Sequence, residues 1–95
     1  MFEKLIGVEE RYSELEKSMA DPAVVSDREA YEKLSREHAD LSRIVSPFRS
    51  YKKVLADLED SNELLNDGDV EIRELAREDL RRLTEEKERL ETELK

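Results

Sequence analysis

Apolar side chains are sparse along this chain and evenly stepped. In the first segment they fall at Leu5, Val8, Tyr12, Leu15 and Met19, in steps of 3, 4, 3 and 4. That spacing places one helix face toward a partner about every 3.5 residues. Asp21-Pro22 ends the segment, because a residue before proline is driven out of the α region. The pattern predicts a helix over 2–20, with Pro22 to Val25 as a short connector. Ser26-Asp27-Arg28-Glu29 has the form of a capping box and opens a second stripe. That stripe is Tyr31, Leu34, His38, Leu41, Val45, Phe48, Tyr51, Leu55, Leu58, Asn62 and Leu65. It predicts a helix over 27–66 that contains Pro47. A bend there, or a new helix capped by Ser46, both satisfy proline chemistry, and the unbroken stripe favours one bent helix. Asn66-Asp67-Gly68-Asp69 is a turn, with Gly68 suited to the left-handed position and Asp69 to a cap. A third stripe of Ile72, Ala76, Leu80, Leu83, Lys87, Leu90 and Leu94 predicts a helix over 70–94.

In an antiparallel hairpin, facing residues have numbers of nearly constant sum. The first and second stripes then pair Leu15 with Tyr31, Tyr12 with Leu34 and Val8 with His38. The second and third pair Leu58 with Leu80, Leu55 with Leu83, Tyr51 with Lys87 and Phe48 with Leu90. The expected fold is all-α, an elongated three-helix arrangement of antiparallel, coiled-coil-like hairpins, its long central helix bent near Pro47. It forms a single domain over 1–95 with a thin core. The third stripe reaches the last residue without a stop signal, which reads as a piece of a longer protein.

Composition narrows the function. Among 95 residues 45% are charged, with two glycines, two prolines and no cysteine. Disulfides, thiolate metal sites and thiol nucleophiles are excluded, and so is a turn-rich β fold. A single histidine leaves no histidine triad and no histidine cluster for a metal. No run of apolar residues approaches a membrane span, and the start does not have the form of a signal peptide, so a cytoplasmic location is expected. The expectation is a non-enzyme without cofactor, metal or small-molecule substrate.

Charge is uneven. Residues 1–40 carry 6 cations and 11 acids, and residues 57–95 carry 7 and 15. Between them Leu41 to Ala56 holds Arg43, Arg49, Lys52 and Lys53 and no acid. These four are the candidate phosphate contacts, against a plainer role in balancing the acidic flanks. A net charge of −9 opposes generic nucleic-acid binding. The helical acids read as solvated faces with weak pairs such as Glu78 with Arg82 and Glu85 with Arg89. Asp67-Gly68-Asp69 lacks the remaining ligands of a calcium loop. His38, opposite Val8, reads as a packed edge residue.

The order of local segments carries a resemblance. Asp21-Pro22-Ala23-Val24-Val25-Ser26-Asp27, then Leu34-Ser35-Arg36-Glu37-His38-Ala39-Asp40-Leu41, then Tyr51-Lys52-Lys53-Val54 resemble the amino-terminal domain of the bacterial peptide chain release factor 1 family. Asn66-Asp67-Gly68-Asp69 through Glu78-Asp79-Leu80 is similar to that family's second turn and third helix. The resemblance covers nearly the whole chain. It implies a class I release factor that ends translation at UAA and UAG, with a sister factor of similar layout reading UGA. The family reads codons with a Pro-x-Thr loop and hydrolyses the peptidyl ester with a Gly-Gly-Gln loop. This chain has neither, and no glutamine at all. What the resemblance implies here is a helical arm reaching the stalk base of the large ribosomal subunit. A glutamine methyltransferase would act on the parent protein outside this region. An acidic arm suits a basic ribosomal protein better than bare RNA. Alternatives are a generic coiled-coil interaction or dimerisation module and the helical arm of a tRNA synthetase.

Overall fold

A computed structural model describes residues 2–95. The order is α1 (Phe2–Met19), α2 (Pro22–Val25), α3 (Arg28–Leu64) and α4 (Val70–Glu93), so the fold is all-α. The chain divides into two compact units, Met1–Ser46 and Pro47–Lys95.

In the first unit α1 runs its full stripe and closes with tight bonds, Ala20 N–H to Lys17 O and Asp21 N–H to Ser18 O. The connector is more ordered than its sequence predicts, forming the one-turn helix α2. Asp21 is its cap, accepting from Ala23 N–H at 2.9 Å, and Pro22 follows at a first-turn position where its missing N–H costs nothing. The expected capping box does not form. Ser26 instead ends α2, its hydroxyl donating to Ala23 O at 3.2 Å. Asp27 opens α3 by accepting from Ala30 N–H at 3.2 Å. Leu5, Tyr12, Leu15 and Val45 are buried, and Leu15 has no exposed surface.

Facing residues in this unit are one helical turn away from the register predicted. Tyr12 stacks on His38, ring centres 4.2 Å apart, where Leu34 was expected opposite it. Arg11 forks onto Glu37, Nε donating to Oε1 at 3.0 Å and Nη2 to Oε2 at 2.9 Å.

Helix α3 is unbroken through Pro47, so Ser46 caps no new helix there. Proline has no N–H to offer the carbonyl of Arg43, and the helix forgoes one bond at that point. The second unit buries Phe48, Tyr51, Val54, Ser61, Ala76, Leu83 and Leu90. Tyr51, Val54, Leu83 and Leu90 form one cluster, with Leu55, Leu58 and Leu94 packed against it. The inward face is turned slightly from the predicted stripe: Val54 joins Leu55, and Ser61 is buried where Asn62 was expected. The Tyr51 hydroxyl donates to Glu91 Oε2 at 2.9 Å, again one turn beyond the expected Lys87.

The turn between α3 and α4 is built without a left-handed glycine, since no described glycine has positive φ. Three successive tight bonds end α3, from Leu65, Asn66 and Asp67 N–H to Asn62, Glu63 and Leu64 carbonyls. Asp67 then accepts from Asp69 N–H, and Asp69 caps α4 by accepting from Glu71 N–H, both at 2.9 Å. Arg73 Nη1 donates to the Asp67 carbonyl at 2.6 Å and closes the turn from the α4 side.

Candidate functional site

The four cations of the basic stretch are all exposed on α3. Arg43 belongs to the Met1–Ser46 unit, and Arg49, Lys52 and Lys53 belong to Pro47–Lys95. At about 100° per residue, the latter three occupy one arc of roughly 100° on the helix surface. Two of them have identified neighbours. Lys53 Nζ donates to Asp57 Oδ2 at 3.1 Å, one turn along α3. Lys52 Nζ lies 4.9 Å from the centre of the Phe48 ring, a cation–π contact. The stretch is thus a short row of exposed charge, partly engaged within its own helix.

The acids arrange differently from the sequence-based pairing. Arg82 contacts Asp79 at 3.7 Å and Glu86 at 4.0 Å, where Glu78 was expected. Arg89 contacts Glu86 at 3.8 Å and Glu93 at 3.8 Å, where Glu85 was expected. On a helix every acid three or four positions away offers similar, weak stabilisation. The choice among them is made by side-chain packing, not by the sequence spacing alone. The result is a charge chain over the second half of α4, while Glu71, Glu74 and Glu78 in its first half have no ion-pair partner among the described residues.

His38 is held between two α1 residues, stacked on Tyr12 and 3.5 Å from Glu16 Oε2. It serves the seam between the helices. Beside it the fork favours the ionised form of both partners: its hydrogen bonds raise Arg11 and hold Glu37 below the usual carboxylate value, against an opposing desolvation. In the second unit, burial first and the Glu91 hydrogen bond second push the Tyr51 phenol above its ordinary value. Among the described residues no group of three or more His, Cys, Asp or Glu could hold a metal ion. Among the described residues no helix is long and apolar enough to cross a membrane. Asp67 and Asp69 spend carboxylate oxygens on backbone N–H groups.

The sequence reading passed over the exposed apolar residues. Leu64, Val70 and Leu75 are 43%, 56% and 61% exposed around the α3–α4 turn. Glu71, Glu74, Leu75 and Glu78 line a shallow hollow of about 260 Å³ on α4. The signal was available, since Val70 and Leu75 lie off the third stripe and Leu64 off the second.

The PCRF domain family matches residues 8–95. Peptide chain release factor 1 of Pelobacter propionicus is 50% identical over 94 residues, covering 99% of this chain and 26% of that protein. The protein of the same name from Solidesulfovibrio magneticus is 48% identical over 95 residues, covering 100% of this chain and 27% of its own length. For that of Geotalea uraniireducens the identity is 47%, with 100% and 26% covered. The chain therefore spans about a quarter of the length of the curated relatives it matches. No solved structure gives a significant match.

Proposed function

The chain belongs to the PCRF domain family, and from that premise we propose that it is the amino-terminal helical arm of a translation termination factor. The factor directs release of the nascent peptide at UAA and UAG in the cytoplasm. The arm itself docks on the ribosome at the stalk base of the large subunit and positions the parts that read the codon and hydrolyse the ester. It performs neither step, since the sequence has no adjacent glycines and no glutamine. The parent protein carries the glutamine on which a methyltransferase acts. The observation that supports this most is the likeness to peptide chain release factor 1 along the whole chain, at 47–50% identity.

Within that reading the contact is with a basic ribosomal protein. Twenty-six acids against seventeen bases make whole-domain approach to RNA repulsive. Charge steering then governs association and fades with salt, the Debye length being about 8 Å at physiological ionic strength. The test is binding of the wild type and of an Arg43/Arg49/Lys52/Lys53→Gln variant to purified large ribosomal subunits. The variant is more acidic, so protein-directed binding holds or tightens. A large loss with helicity intact would transfer the role to the basic stretch and to RNA.

A further inference from the structure

The exposed large apolar residues of the Pro47–Lys95 unit are not scattered. Leu64, Val70 and Leu75 all lie between the end of α3 and the second turn of α4. Farther along α4, Ala76, Leu83 and Leu90 are buried. Leu75 is the most exposed of all, at 61%, and three glutamates border it on its own helix face. At about 100° per residue, Glu71, Glu78 and Glu74 stand within roughly 100° of Leu75 to one side. None of them is ion-paired among the described residues, whereas Arg82 and Arg89 bridge the acids in the second half of the helix. One end of the unit therefore combines exposed apolar surface with three glutamates that no described cation holds in an ion pair.

We propose that the Leu75 face of this turn end, with Glu71, Glu74 and Glu78 beside it, is a docking surface for a protein whose contact face is an apolar cleft edged by lysine and arginine. The complementarity is specific in sign and in kind. Nucleic acid and anionic lipid would meet the glutamates with like charge. A second copy would bring the same glutamates face to face. A basic protein with an apolar cleft desolvates Leu75 and draws the carboxylates to its rim, the usual anatomy of an interface with an apolar centre and a polar margin. The inference rests on the ribosome-docking reading above and names the face that docks.

The experiment measures binding of the labelled chain to purified large ribosomal subunits over a series of salt concentrations. Leu75→Ser is expected to weaken binding about tenfold at every salt concentration, the size of effect typical of a central contact residue. Its melting temperature should stay near that of the wild type, because the side chain is already mostly in water. Glu71/Glu74/Glu78→Gln is expected to weaken binding at low salt and flatten the salt dependence. Glu71 lies in the first turn of α4, so if the triple variant loses helicity the Leu75→Ser result decides alone. Wild-type affinity retained by Leu75→Ser would overturn the docking surface while leaving the ribosome reading standing. Absence of binding by the wild type would overturn the ribosome reading and this inference with it. Loss confined to the Arg43/Arg49/Lys52/Lys53→Gln variant would assign the contact to RNA and overturn the proposal.

Discussion

In Met1–Ser46, beside the buried Leu5, Leu15 and Val45, the helices meet across an arginine–carboxylate fork whose side chains are 47% and 41% exposed, and across a tyrosine stacked on a histidine. In Pro47–Lys95 they meet through Tyr51, Val54, Leu83 and Leu90, none more than 4% exposed. Both halves show the same 3-and-4 stepping in sequence. The stepping fixes which face turns inward, and the side chains at the seam decide what that face contributes. A fork between exposed side chains selects partners geometrically but adds little stability, because water competes for both ions. A closed apolar cluster adds stability in proportion to the area it removes from water.

The sharpest way to break this contrast is Leu83→Asp, which places a charge inside the apolar cluster. A loss above about 4 kcal/mol, enough to unfold a marginal unit, is expected in denaturant titration. A mild effect would mean that the second unit does not depend on its apolar seam. Next in size is Leu15→Ala, in the half with the polar seam. Leu15 has no exposed surface, so about 3 kcal/mol should be lost in the same titration. A cost well under about 1 kcal/mol would show that the first unit lets water reach its interior. Smaller again is Asp69→Ala, which removes the α4 cap and should cost about 1 kcal/mol in a thermal melt.

The smallest effects separate the two halves by pH. Glu37 is held below its ordinary value, so its contribution is complete above the usual carboxylate range and fades as pH falls through the depressed value. The melting difference between wild type and Glu37→Gln should therefore shrink toward acid. Tyr51 is raised, so its contribution is complete below the ordinary tyrosine value and fades as pH rises through the higher one. Tyr51→Phe, costing about 1 kcal/mol near neutrality, should converge with the wild type in alkali. The first half would then be sensed from the acid side and the second from the alkaline side.

The helices, their faces and the turn at residues 66–69 were legible in the sequence, because proline, aspartate and periodicity act locally. The register was not. Sliding one helix past another by a turn leaves the same faces inward, so a stripe cannot distinguish Tyr12 opposite Leu34 from Tyr12 opposite His38. The stack and the Tyr51–Glu91 bond break that degeneracy, and both depend on side-chain geometry. The ion pairs were illegible for a related reason, since Arg82 has several acids at equivalent spacing. The exposure of Arg43, Arg49, Lys52 and Lys53 followed from their place off the stripe. The engagement of Lys53 by Asp57 and of Lys52 by Phe48 did not.

The seam between α1 and α3 has a kinetic consequence. The fork and the stack need no residue beyond His38. Contacts so close in sequence form in microseconds to milliseconds. Synthesis proceeds at about 5–20 residues per second, so the 49 residues of Pro47–Lys95 take roughly 2–10 s to add. All the residues of the first seam are therefore made before the second unit is complete. The first hairpin waits with Phe2, Ile6, Val25, Tyr31 and Ile44 exposed, so its seam closes early while apolar surface stays open to whatever the nascent chain meets.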